Sequence, residues 1–214
     1  WPSWFSIALQ IALLILFMEL LVPLVSLVAE VGSLSDLMDS IRSGKDEIYF
    51  TLRNSLAAGL LAVPVAIAVA VMLARPSWKG RAWWIVATIP LAIPAPLVGI
   101  GLISFWNRPE LNAVYGTAMM PLLASLARFA PVAAIVMLAQ IRRIDPQLIY
   151  AGQVFGKPPL KRWALIEFPL VAPGILAAIA IVFALSIGEL GATLLVAPPG
   201  QATLTMRIYN YLHY

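Results

Sequence analysis

Cysteine is absent from the 214 residues, and histidine occurs once, at His213. The first absence excludes disulfides and thiolate metal sites. The second excludes a histidine-based metal or catalytic cluster. Charge is scarce too: Asp, Glu, Lys and Arg make up 11% of the chain, against about 25% in ordinary soluble domains. No Gly-x-x-x-x-Gly-Lys-Ser/Thr loop occurs, so the sequence contains no phosphate cradle of that kind. What is abundant is apolar: 62% of residues, with a mean hydropathy of +0.92. A domain this small has too much surface to cover with so few charges. The composition calls for lipid as the solvent, and the net charge of +4 then bears on orientation in a membrane, not on nucleic acid.

Five apolar runs approach or exceed the roughly 20 residues that span a bilayer. They lie at about residues 4–28, 54–73, 83–106, 117–141 and 169–197. The first run is too long for a signal-peptide core. Between the runs the charge alternates. Residues 29–49 carry Glu30, Asp36, Asp39, Asp46 and Glu47 against Arg42 and Lys45. Residues 75–82 carry Arg75, Lys79 and Arg81 with no acid. Residues 107–116 carry one residue of each sign. Residues 142–168 carry Arg142, Arg143, Lys157, Lys161 and Arg162 against Asp145 and Glu167. The positive-inside bias puts the second and fourth loops in the cytoplasm, with the N-terminus inside and residues 198–214 outside. Trp83, Trp84, Trp106 and Trp163 fall at the expected interfaces, where amphipathic rings are favoured.

Prolines interrupt the runs at Pro64, Pro90, Pro94, Pro96, Pro121, Pro131 and Pro173. Each removes a helix hydrogen bond and kinks its helix. In lipid such breaks survive only where neighbouring helices or water satisfy the freed carbonyls. The third run, with Pro90, Pro94, Pro96, Gly99 and Gly101, is not expected to form one straight helix. These breaks fit either a tolerated kink at a helix contact or a moving, pore-lining segment. Ala57, Ala58 and Gly59 suit close helix packing in the second run.

The fourth loop has its own pattern. Asp145-Pro146 has the form of a helix start, a capping acid followed by proline. Leu148, Ile149, Val154 and Phe155 can form an apolar ridge on a short helix that Gly156 ends. Lys157-Pro158-Pro159 forbids continuation, and residues 160–168 are expected to form a second short helix. Two short helices at the cytoplasmic face make a knob that can dock in a cleft of a soluble partner.

The stretch Tyr150-Ala151-Gly152, then Gly156, then Phe168-Pro169 and Pro173-Gly174-Ile175 resembles the coupling loop of bacterial binding-protein-dependent permeases. That loop has the form Glu-Ala-Ala, three residues, Gly, and about nine residues before an apolar-Pro. Tyr150 departs from the acid and Gly152 from an alanine. Residues 51–56, Ile89–Pro94 in its order of apolar residues and prolines, and Ser186-Ile187-Gly188-Glu189-Leu190-Gly191-Ala192-Thr193 extend the resemblance over about residues 50–214. With Ala197-Pro198-Pro199-Gly200, they are similar to the subgroup that imports iron(III), thiamine or phosphonates.

The resemblance implies an all-α, polytopic helical membrane protein: five transmembrane helices of a six-helix MetI-like permease unit, with a short cytoplasmic coupling helix. Residues 1–49 would hold the first helix and an acidic periplasmic segment, and residues 50–214 the permease core. The chain starts at Trp1 and ends at Tyr214 and is expected to be a piece of a longer polypeptide, without its last helix. The implied partners are a cytoplasmic ABC ATPase dimer, a periplasmic substrate-binding protein, a second permease unit, fused or separate, and the bilayer of a bacterial inner membrane. No resident cofactor is implied, since ATP is bound by the partner. The ATPase-coupling residues would be Tyr150, Ala151, Gly152, Val154, Phe155, Gly156 and Lys157. Iron(III) is the first expectation for cargo, with thiamine and phosphonates beside it.

Glu19, Arg128 and Glu189 lie inside apolar runs. A charge at mid-bilayer costs at least about 2.5 kcal/mol, so each is expected to face protein or water. Each sits roughly 12–20 Å from the outer end of its run, at about 1.5 Å per residue. Two readings stand: a structural ion pair of Arg128 with Glu189 or Glu19, or a translocation path lined by these residues. Broken helices suit an ATP-driven permease and also a secondary transporter or channel without an ATPase. A membrane-embedded enzyme is disfavoured, because no His, Asp and Glu cluster has catalytic spacing.

Overall fold

In the computed structural model of the chain, the described residues are 2–74, 78–145, 147–148, 150 and 158–213. Among them the regular structure is entirely helical. It consists of α1 (Ser3–Glu30), α2 (Leu34–Ser43), α3 (Lys45–Ala74), α4 (Trp78–Ala92), α5 (Ala95–Trp106), α6 (Met119–Ile141), α7 (Pro159–Arg162), α8 (Phe168–Ile187), α9 (Thr193–Val196) and α10 (Leu204–His213). A 3₁₀ turn at Pro109–Leu111 follows α5, and a π-helical turn at Trp163–Glu167 joins α7 to α8. Four helical stretches, Trp4–Glu30, Lys45–Ala74, Met119–Ile141 and Leu160–Ile187, are long and apolar enough to cross a membrane. The pair α4 and α5 adds a fifth crossing if counted together, but it bends by 102° at Ile93 and Pro94. The chain is therefore a multi-pass membrane protein.

The chain divides into two compact units, Trp1–Lys45 and Asp46–Tyr214. The first holds α1 and α2. α1 is apolar all round, with Leu13, Leu16, Phe17, Leu20 and Leu27 exposed, as fits a helix surrounded by lipid or other protein. Glu19 is exposed on it. Residues 29–49 are not a plain loop. Ser33 caps α2 by accepting the Asp36 N–H at 3.1 Å, and α3 begins at Lys45, well before the apolar run that starts near Asn54. Asp46 and Glu47 occupy the first turn of α3, where negative charge complements the free N–H groups.

The second unit is built on α3, α6 and α8. α3 presents Ala58, Ala62, Ala66 and Ala70, one per turn and all fully buried, against Phe129, Ala133 and Met137 of α6 and Ala178 and Val182 of α8. The i, i+4 spacing puts the four methyls in one row. Small residues let backbones approach closely in a membrane, where packing rather than the hydrophobic effect joins helices. At Gly59 an added Cβ would lie 3.0 Å from the Ile179 carbonyl oxygen, and at Gly174 one would lie 2.6 Å from Gln140 Cβ. A smaller cluster joins Met120 and Ala124 of α6 to Ala192 and Val196, with Leu102, Ile103 and Trp106 of α5 against it.

The prolines divide into two groups. Pro64, Pro90, Pro131 and Pro173 lie inside helices. Pro94, Pro96 and Pro121 lie at or in the first turns of α5 and α6. There no intrahelical N–H bond is lost, so they start helices instead of kinking them. The second short helix expected over residues 160–168 is likewise not separate, since α7 runs through the π turn into α8. Pro169 has no N–H to offer the carbonyl one α-turn back. The chain shifts into i, i+5 bonding, as in the Phe168 N–H to Trp163 carbonyl bond, and the helix continues.

Candidate functional site

The break after α8 gathers buried polar residues of the second unit, among them Ser186, Glu189 and Thr193. α8 ends at Gly188, and Glu189 follows with its side chain 2% exposed. Arg128 on α6 forms an ion pair with Glu189 through Nη1 and Oε2. The other carboxylate oxygen, Oε1, accepts the Ala192 N–H at 2.8 Å, at the start of α9. The Glu189 carbonyl accepts from the hydroxyls of Thr193 at 2.8 Å and Thr205 at 3.0 Å. One residue thus joins α6, the start of α9 and the first turn of α10. Arg128 also lies 5.0 Å from the centre of the Phe129 ring, and its side chain stays 26% exposed. Enclosure of the Glu189 carboxylate is tolerable because it is paired with a cation and hydrogen-bonded as well. Ser186, three residues earlier, has a buried hydroxyl with no partner among the described residues.

The chain around this pair is tightly seated. An added Cβ at Gly191 would lie 2.7 Å from Ala95 Cβ, and one at Gly99 would lie 3.2 Å from the Ala192 carbonyl oxygen. The following segment, with Gly200 at φ 77°, brings α10 back to the start of α3. Thr51 Oγ1 accepts the Leu204 N–H at 2.8 Å, capping α10 from another helix. Arg207 donates to Glu47 at 2.8 Å and to the Tyr211 hydroxyl at 3.0 Å. Hydrogen bonding to the Glu47 carboxylate holds the Arg207 guanidinium above its ordinary value. A mixed cleft of about 710 Å³ opens beside this seam, between Asp46, Tyr49 and Arg53 of α3 and the Pro198-Pro199-Gly200 turn.

The structure therefore brings Arg128 and Glu189 together and places Glu19 on the exposed surface of the first unit's long helix. Thr51, Thr193, Thr205 and the Glu47–Arg207 bridge were not apparent as parts of one assembly. Thr51 meets Leu204 across 153 positions, and no local pattern announces such a pairing. Of the coupling-loop residues, Tyr150 is helical and 62% exposed, while Ala151, Gly152, Val154, Phe155, Gly156 and Lys157 lie outside the described residues. Ahead of them, the Asp145 carboxylate accepts the Gln147 N–H at 2.9 Å, as expected of a capping acid.

A family model described as "binding-protein-dependent transport system inner membrane component" matches residues 62–214. Among curated proteins, one assigned by name to 2-aminoethylphosphonate transport, a permease protein of Salmonella typhimurium, is 28% identical over 166 residues, covering 77% of this chain and 62% of its own length. A spermidine/putrescine transport system permease protein homolog of Mycoplasma pneumoniae is 29% identical over 177 residues, covering 80% of this chain and 62% of its own. A Fe(3+)-transport system permease protein of Haemophilus influenzae is 27% identical over 120 residues, covering 56% of this chain and 24% of its own. The chain thus spans 62% of the length of the first of these relatives.

Proposed function

The chain belongs to the family of inner membrane components of binding-protein-dependent transport systems, and from that premise we propose that it forms half of a translocation pathway driven by a separate ATPase. The observation that carries the proposal is the extent of the family match. Residues 62–214 include the broken α4–α5 pair, the Arg128–Glu189 pair and the whole basic loop 142–168.

In this reading the loop faces the cytoplasm, and residues 150–157 dock in a cleft of a cytoplasmic ABC ATPase dimer. Closure of the ATPases moves the docked loop and rocks the helices between inward-open and outward-open states. A second permease unit supplies the facing half of the pathway, and a periplasmic substrate-binding protein delivers cargo at the outer side of a bacterial inner membrane. Arg128 and Glu189 line the path. Arg128 keeps a quarter of its side chain exposed while Glu189 fixes its position, so the pair is suited to meet a charged cargo at one defined depth. Iron(III) is the cargo we propose, as substrate and not as a resident ion. The resemblance of residues 186–200 and the Fe(3+)-transport relative support it.

The test is co-purification of the full-length protein in detergent, with Gly156 intact and with Gly156→Asp. A stably bound ATPase in the first preparation and its loss from the second is the expected result. Absence of an ATPase from both would overturn the proposal in favour of transport without one. Uptake of radioactive iron(III) by cells carrying the full-length system, abolished when it is deleted, tests the cargo separately.

A further inference from the structure

The half of the second unit that the charge bias assigns to the cytoplasm holds a cleft that the transport reading does not use. It measures about 660 Å³ and is walled by Val63 and Ile67 of α3, Met137 and Ile141 of α6, and Phe168 and Val171 of α8. Its walls are almost wholly apolar, and it opens beside Trp163, which is 50% exposed and packs on Phe168 with ring centres 5.3 Å apart. Basic residues are the immediate chain neighbours of three lining residues. Arg142 and Arg143 directly follow Ile141 and precede the lining residue Ile144, while Lys161 and Arg162 directly precede Trp163.

Two acids lie nearby, and both are engaged. Glu167, at the rim, accepts from Arg162 at 2.8 Å, and Asp145 caps the Gln147 N–H. The π turn makes the first of these possible. Residues five apart do not share a face of an α-helix, but the wider turn at Trp163–Glu167 brings them together. Among the described residues no carboxylate lies within ion-pair distance of Arg142, Arg143 or Lys161.

We propose that this cleft is a binding site for an anionic phospholipid of the cytoplasmic leaflet. An acyl chain would lie between α3, α6 and α8, and the headgroup phosphate would rest among Arg142, Arg143 and Lys161, with Trp163 at the level of the glycerol. The argument is charge complementarity joined to shape. Next to the lining the described residues carry more basic than acidic side chains, and the apolar slot beside them is filled by no side chain of the described residues. Basic pockets between helices on the cytoplasmic side recognise such headgroups, and each Lys or Arg near the surface adds to the attraction.

The test uses the full-length protein, purified in a mild detergent and exchanged into mixed micelles of phosphatidylglycerol and phosphatidylcholine. Retained lipid is counted by native mass spectrometry. The wild type is expected to keep phosphatidylglycerol in preference to phosphatidylcholine. Arg142→Gln/Arg143→Gln/Lys161→Gln is expected to weaken retention by about five-fold per charge removed, on the order of 100-fold in all. Val171→Trp, which fills the slot and leaves the charges, is expected to lose the lipid as well. Arg42→Gln/Lys45→Gln, on the loop assigned to the other side, is expected to retain it. Equal retention of both lipids by the wild type would overturn the proposal. So would retention unchanged in both the charge variant and the slot-filling variant, even if those variants lost a bound ATPase, since the cleft would then belong to a protein partner. The readout needs no ATPase, so it fails or succeeds independently of the transport mechanism.

Discussion

At the scale of single residues, the Arg128–Glu189 pair is asymmetric, and that asymmetry predicts unequal variants. Glu189 is almost fully enclosed, while Arg128 keeps about a quarter of its side chain open. Arg128→Ala leaves an enclosed carboxylate without its cation and is expected to cost about 3–5 kcal/mol. Glu189→Gln keeps an acceptor for the Ala192 N–H and leaves the more open partner alone, so a loss of about 1–2 kcal/mol is expected. Thermal unfolding of the full-length protein in detergent checks the order, and a Glu189→Gln that unfolds at the lower temperature would refute it. Glycines give a second contrast. Gly191→Ala pushes a methyl to within 2.7 Å of Ala95 Cβ, whereas a Cβ at Gly101 meets nothing within 4 Å. The first is expected to destabilise by about 1–3 kcal/mol, and the second to be neutral within about 0.5 kcal/mol, in the same melting assay. Both charges of the pair were visible in the sequence, because charge inside an apolar run stands out against its background. Which acid partners Arg128 was not, since Glu19 and Glu189 carry equal local evidence and only the folded chain distinguishes them.

At the scale of helices, α10 is held by contacts that no run of adjacent residues encodes. Its first N–H is accepted by Thr51, and its Arg207 is bonded to Glu47, both on α3. Thr51→Val removes the cap while keeping the volume, at a typical cost of about 1 kcal/mol. Amide exchange over residues 204–207 is therefore expected to quicken about five-fold, with α6 unchanged, as read by hydrogen–deuterium exchange mass spectrometry. Exchange unaltered at α10 would show that Thr51 does not hold it. The long helices were legible because runs of apolar residues near bilayer length admit few alternatives. Their starts were less so. α3 begins on the charged residues Lys45, Asp46 and Glu47, which hydropathy assigns to a loop. The π turn was hidden for a related reason: Pro169 marks a stop in a pattern reading, yet a one-residue shift of the hydrogen-bond register lets the helix run through it.

At the scale of the whole molecule, the alternation of charge between loops predicts an orientation that can be tested directly. These 214 residues contain no cysteine, so single labels can be introduced into them. Cysteine at Lys161 is expected to react with a membrane-impermeant maleimide only in inside-out vesicles, and cysteine at Ser35 only in right-side-out ones. The opposite pattern would invert the topology and move the proposed lipid site to the outer leaflet.

The row of alanines on α3 has a mechanical consequence. Long interlocking side chains hold two helices in one register, because sliding them demands that many rotamers change together. A row of methyl groups offers no such teeth. Along the alanine row, α3 meets α6 and α8 with fewer interlocking side chains than a row of leucines would give. Such a face is expected to oppose relative movement of the helices less than an interlocked one would.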